Sequence, residues 1–211
     1  MKRLRKHFTD REVRFYMCGE YGPLNQRPHY HACLFNVDFR SDRVPSGRSG
    51  SGHVFYDSPL LSRLWSHGRV SVQDLSRETA LYTAGYITKK ILGPNSERAY
   101  DQVDSDGVVT PRRPEYAAMS TRPGIGARWF LRFSRDVYPH DFAIGDGRRF
   151  APPRYYDKLM RRAKEDCMDD VEFRRSERAR EVAAENTDER RKVRAAVAAA
   201  GLSLSKRNED L

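Results

Sequence analysis

Two histidines one residue apart, His29-Tyr30-His31, are the first candidates for chemistry in this sequence. In an extended strand, residues i and i+2 project from the same face, so the two imidazoles point together while Tyr30 and Ala32 point away. Two imidazoles on one face are natural ligands for a divalent ion. Glu20 ends the preceding alternating segment, and a hairpin between the two segments returns its carboxylate to the same face. Two nitrogens and a hard oxygen leave positions for water and a phosphate oxygen, where an ion acts as a Lewis acid on a phosphodiester. The competing reading is an H-x-H pair that falls by chance on an exposed strand.

A second constellation is the run Tyr82-Thr83-Ala84-Gly85-Tyr86-Ile87-Thr88-Lys89-Lys90. Helical spacing places Tyr82, Tyr86 and Lys89 or Lys90 on one stripe. Leu81, Ala84, Thr88 and Ile91 fall on another, suited to packing. An ordinary tyrosine hydroxyl, with a pKa near 10, is ionised in about one molecule per thousand at neutral pH, a deficit of roughly 4 kcal/mol for a nucleophile. A lysine one turn away and a polarised phosphate are the help that offsets it. Taken alone, the stripe reads more simply as a tyrosine-rich packing face with solvated lysines. Taken with the histidine pair, it describes one reaction, a tyrosine attacking a metal-bound phosphodiester.

The elements that must position these residues are legible in outline. Residues 12–21 alternate Val13, Phe15 and Met17 with Arg14, Tyr16 and Cys18, which predicts a strand. Residues 22–26 form a turn-rich loop, and residues 28–37 a second strand antiparallel to the first. The Gly/Ser/Arg-rich segment 40–52 is expected as a mobile loop. A short helix follows at 60–65 and a short strand at 68–72. Ser76 is the expected N-cap of a helix that Gly93-Pro94 stops after Leu92, with Glu78 in its first turn. Residues 94–116, with Pro94, Pro111 and Pro114, read as a long loop. Residues 119–138 combine a Gly/Pro turn with an amphipathic aromatic segment, and Gly145-Asp146-Gly147 marks a hairpin turn. From Tyr155 to about Ala200 the pattern is charged, Ala-rich and helical, broken at Asn186-Thr187. The fold class is therefore α+β: an antiparallel sheet with flanking helices, a domain over residues 1–153 and a charged helical extension over 154–211.

Composition narrows the function. The 211 residues suffice for a core without disulfides. Cys18, Cys33 and Cys167 are odd in number and widely spaced, against both a disulfide framework and a cysteine zinc site. No apolar run approaches the length of a membrane span, and the basic residues Lys2, Arg3, Arg5 and Lys6 have no apolar stretch behind them, unlike a secretory signal. The net charge is +10, with 24 Lys/Arg against 16 Asp/Glu in residues 1–153 and 15 against 13 beyond. The excess sits in the globular part and points to a polyanion such as nucleic acid. Arg112, Arg113, Arg122 and Arg128, with Trp129 nearby, are candidates to track single-stranded DNA, as is Lys90; a solvated basic surface explains them as well. His7, His53, His67 and His140 lack partners at ligand spacing and read as surface or packing histidines.

GEYGPLNQRPHYHACLFN resembles the HUH motif region of rolling-circle replication initiators, and YTAGYITKK resembles their tyrosine motif. The initiators of gokushovirus-type microviruses are most similar: Leu64-Trp65 before Gly68-Arg69-Val70, MSTRPGIGARWF and PPRYYDKLM also look like that family, over Lys2 to about Met160. The resemblance implies an HUH endonuclease palm with His29, His31 and Glu20 as ligands of Mg²⁺ or Mn²⁺. It implies Tyr86 as nucleophile, Lys89 orienting the phosphate, and Tyr82 as a second tyrosine. It also implies a circular single-stranded DNA origin as substrate, host replication helicase or polymerase as partners, no membrane, and the cytoplasm of a bacterial host. Gly85 stands three residues after Tyr82 where the pattern has lysine, so the two tyrosines are not equivalent. These initiators carry a further palm strand upstream of the segment MKRLRKHF, and nothing before Met1 supplies it. The alternatives are a non-catalytic DNA-binding remnant of such an initiator, or an unrelated two-His-one-carboxylate metal enzyme.

Overall fold

A computed structural model describes residues 1–22, 26–50, 52–90, 96, 98–163 and 165–205. After the short helix α1 (Lys2–His7), β1 (Arg14–Tyr21) and β2 (Pro28–Phe35) form the expected antiparallel pair. Their register runs unbroken from Arg14 opposite Phe35 to Tyr21 opposite Pro28.

Segment 40–52, expected as a loop, instead supplies β3 (Val44–Arg48), which pairs with β4 (Val54–Asp57) across a register shift between Pro45 and Gly47. The Ser49 amide donates to the His53 carbonyl and that of Gly52 to the Ser49 carbonyl, so the small residues close a hairpin. α2 (Pro59–Trp65) begins with proline at a position needing no amide donor, after Ser58, whose hydroxyl accepts from the Leu61 amide. Of the strand expected at 68–72 there remains a single bridge between Tyr56 and Val72.

α3 (Arg77–Gly85) has Ser76 as its N-cap, but Thr79 rather than Glu78 completes the capping box. It ends seven residues before Leu92 and passes into a 3₁₀ turn, Tyr86–Lys89. The Gly93-Pro94 stop lies outside the described residues. The long loop expected over 94–116 is also corrected. It contains a 3₁₀ turn (Arg98–Tyr100) and a hairpin of β5 (Asp101–Val103) and β6 (Val109–Pro111), and it runs into β7 (Tyr116–Met119). β7 joins the free edge of β1, giving sheet order β2-β1-β7. That edge carries unpaired amides and carbonyls, and pairing satisfies them despite the nearby prolines.

The sheet is covered on both faces. Leu34 of β2 packs with Leu60, Leu61 and Leu64 of α2 against buried Leu4, Val13 and Phe39. The opposite face, where Cys18 points, lies under α3: the Cys18 thiol donates to the Thr83 carbonyl at 3.5 Å.

The chain divides into two compact units, residues 1–125 and 126–211, so the composition change at 153 falls inside the second. The second unit comprises α4 (Ala127–Val137), the expected hairpin as β8 (Ala143–Gly145) and β9 (Arg148–Phe150), α5 (Arg154–Ala163), α6 (Glu165–Glu181) and α7 (Asp188–Ser205). A 3₁₀ turn, Ala183–Asn186, breaks the last two helices apart before Thr187, as expected. Gly126 caps α4 at φ +83, and a Cβ there would sit 2.7 Å from the Tyr156 hydroxyl, so only glycine fits. Phe130, Val137, Tyr138, Met160, Met168 and Val171 form the core.

Beside that core, Arg175 bridges Asp141 at 2.5 Å and Asp157 at 2.9 Å, and the Tyr138 hydroxyl donates to Asp157. Burial alone would raise both carboxyls, but the hydrogen bonds from Arg175 outweigh it and hold them below the usual carboxylate range. Their contribution to stability is therefore present above the ordinary carboxylate pKa and lost as pH falls through the lowered values. Arg175→Met is expected to cost about 3 kcal/mol at pH 7, the low end for breaking a buried pair because the guanidinium is partly exposed. Its deficit against the parent chain, measured by urea unfolding, should shrink on acidification below about pH 4; a deficit independent of pH would contradict this account.

Candidate functional site

The β1–β2 register places Glu20 directly opposite His29 and Cys18 opposite His31. Residues 18, 20, 29 and 31 therefore share the α3-covered face, and Glu20 reaches one imidazole straight across and the other diagonally. His29 Nε2 lies 2.5 Å and His31 Nε2 3.0 Å from the same oxygen, Glu20 Oε1. The Glu20 side chain is 3% exposed, against 42% for His29 and 25% for His31. The carboxylate thus forms the floor of the site and the imidazoles its rim.

One ligand atom from each of the three residues lies within 4.8 Å of the others. Adjacent ligands of an octahedral ion with bonds of about 2.1 Å stand about 3 Å apart, close to the separations of Glu20 Oε1 from the two nitrogens. The donor set, two imidazoles and a carboxylate on one side, also leaves the opposite positions open. The residues fit a divalent cation.

Above the rim sits the tyrosine pair. The Tyr86 ring stacks on His31 with centroids 4.1 Å apart and planes 13° from parallel, while Tyr82 meets His31 edge-on at 5.8 Å. The Tyr86 hydroxyl donates to the Tyr82 hydroxyl. Tyr86 is buried and Tyr82 is half exposed, so the pair runs from the metal-ligand cluster to solvent.

The helix is docked differently from expectation. Leu81 and Ala84 are exposed, and the buried positions are Thr83 and Tyr86. The Thr83 hydroxyl donates to the Thr79 carbonyl. Burial pushes the Cys33 thiol up against the opposing effect of its hydrogen bond with Thr83, leaving a neutral packing group. Contacts of sulfur, hydroxyl and aromatic ring therefore seat α3, where an aliphatic stripe was expected. Thr83 was not singled out from sequence; its i, i+3 spacing to Tyr86 was the available signal.

The remaining candidates do not converge. The Lys89 side chain lies outside the described residues, and Lys90, half-buried, ends the 3₁₀ turn. Arg112 is occupied locally, 4.7 Å from the Tyr21 ring centroid and donating to Gln26 at 3.0 Å. Arg113 is exposed beside it, its carbonyl accepting from the Tyr21 hydroxyl. Both flank the Glu20 end of β1. Arg122, whose carbonyl accepts from Arg14, lies at the other end of that strand, roughly 20 Å away. Arg128 is exposed on α4 in the second unit.

Comparison with known proteins bears on this arrangement. Residues 1–91, which contain both constellations, match the family model of the replication-associated protein ORF2. The chain is 32% identical over 173 residues to replication-associated protein ORF2 of Spiroplasma virus 4, an alignment covering 79% of this chain and 50% of that protein. It is 26% identical over 149 residues to replication-associated protein VP4 of Bdellovibrio phage phiMH2K, covering 69% and 42%. It is 27% identical over 180 residues to replication-associated protein ORF4 of Chlamydia phage 1, covering 82% and 42%. The chain thus spans about half the length of the curated relatives it matches, and no solved structure matches it. Among the described residues no helix is long and apolar enough to cross a membrane. Through residues 1–91 the chain belongs to the ORF2 family of replication-associated proteins, whose members here are proteins of bacterial phages.

Proposed function

We propose that this chain nicks single-stranded circular phage DNA at its origin and carries the cut end on a tyrosine. The observation that carries this reading is the stacking of Tyr86 on His31, which sets a tyrosine hydroxyl against a Glu-His-His cluster. Membership in a family of replication-associated proteins supports it. Glu20, His29 and His31 would hold Mg²⁺ or Mn²⁺, which when bound supplies Lewis acidity at a phosphate oxygen.

Tyr86 Oη attacks phosphorus, the P–O3′ bond breaks, and the 3′ oxygen leaves with a proton as a hydroxyl that primes synthesis. The 5′ phosphate remains esterified to Tyr86. The Tyr86 proton already points at the Tyr82 oxygen, and Tyr82, half exposed, can release a proton of its own to water. The β1–β2 hairpin keeps Glu20 below and the imidazoles above, while α3 holds Tyr86 in place through His31 and Thr83. A second transesterification, at Tyr82 or at Tyr86 used again, closes the displaced circle. One phosphoester replaces another at each step, so joining needs no ATP.

The test is incubation with end-labelled single-stranded origin DNA and Mn²⁺, followed by a denaturing gel. A protein–DNA adduct is expected, absent with a chelator and restored by added Mn²⁺. Tyr86→Phe should abolish the adduct; an adduct that survives it sinks the nucleophile assignment. His29→Ala combined with His31→Ala should abolish cleavage and Mn²⁺ binding while leaving DNA affinity essentially unchanged, and retained Mn²⁺ binding would contradict the ligand assignment.

A further inference from the structure

A cavity of about 700 Å³ lies within the second unit, well inside the size range of ligand sites. Asp141, Asp157, Arg175 and Arg178 line part of it and neutralise one another through their ion pairs. The rest of the lining is different in kind. The Arg149 guanidinium lies over the Phe142 ring, 4.4 Å from its centroid, which holds the cation flat against the wall. Arg154 opens α5, exposed, at the same cavity. Neither Arg149 nor Arg154 makes an ion pair among the described residues. Phe150, at the end of β9, is 39% exposed.

Two uncommitted guanidinium groups beside exposed aromatic surface are the combination that holds a single nucleic-acid strand, with cations on phosphates and rings or guanidinium planes on bases. An acidic peptide would use the arginines and leave the rings idle, and an apolar ligand would leave both cations without a counter-charge. We infer that the second unit carries its own subsite for single-stranded DNA, with Arg149 and Arg154 on backbone phosphates, Phe150 against a base, and Phe142 positioning Arg149. The choice of DNA as the strand rests on the nicking function proposed above. The subsite itself lies outside the 91 residues that match the family.

The test uses the full chain, a fluorescent oligothymidylate of about 16 nucleotides, and binding followed by anisotropy. Arg149→Gln with Arg154→Gln should flatten the slope of log affinity against log salt by about 1.4, the loss of two phosphate contacts on a single strand. Arg190→Gln with Arg191→Gln on α7 removes the same charge and should leave the slope unchanged. Phe150→Leu keeps an apolar side chain and serves should the double variant fail to fold. It should weaken binding about tenfold, within the range for losing one stacked base, and have no effect on an abasic oligomer. If the cavity variants bind as the α7 variant does, or if Phe150→Leu binds oligothymidylate as the parent chain does, the subsite is overturned and the nicking function stands. If the parent chain binds no oligothymidylate, both fall. Intact, Arg149-dependent binding without a covalent adduct at the origin supports the subsite and refutes the nicking function.

Discussion

Glu20 is the constraint on which the first unit depends. A carboxylate 3% exposed must find compensation where it is, because burying an unpaired charge is prohibitive. Its partners are two imidazoles on the neighbouring strand, and they are within reach only in one register of β1 against β2. A slip by one residue would turn both histidines to the α2 face and leave the carboxylate alone under α3. The same register puts Cys18 beneath Thr83 and His31 beneath Tyr86, so the pairing that satisfies Glu20 also seats the helix. Site geometry and local stability are one requirement here.

That coupling explains why α3 needs so little apolar surface. Its exposed side carries Leu81 and Tyr82, and its buried side offers only Thr83 and Tyr86. A helix held by a ring stack, a thiol and a hydroxyl is fixed in rotation more tightly than one held by interchangeable aliphatic groups, because each contact has a preferred direction. For a nucleophile that must meet phosphorus in line, rotational precision matters more than docking strength.

The sequence was most legible where periodicity was long and uninterrupted. Alternation over residues 13–18 and the H-x-H spacing sufficed for both strands, their pairing and the shared face of Glu20, His29 and His31. It was least legible where a few residues acquire structure only from a partner. β7 is four residues long and follows two prolines, so nothing local distinguishes Tyr116–Met119 from loop; the open edge of β1 makes it a strand. β3 is built from Val, Pro, Ser, Gly and Arg and exists through its pairing with β4. The helix carrying the tyrosines had the right start and the wrong face, because an aliphatic stripe was expected to decide its orientation and the histidine stack decides it instead. Individual arginines could not be placed at all, since charge counts carry no coordinates: Arg112 is spent on Tyr21 and Gln26, and Arg122 lies far along the strand.

The two units answer the same electrostatic problem in different ways. In the first, a buried carboxylate is met by imidazoles, weakly basic groups that can exchange it for a cation's coordination sphere. In the second, Asp141 and Asp157 are met by Arg175, which is always charged and forms paired hydrogen bonds to both. Arginine serves as a permanent lock, suited to the wall of a cavity that must hold its shape. Histidine leaves its carboxylate available for ligation. The choice of partner for each buried acid thus separates structural charge from charge kept for chemistry. The distinction can be read from the side chains alone, before any ligand is considered.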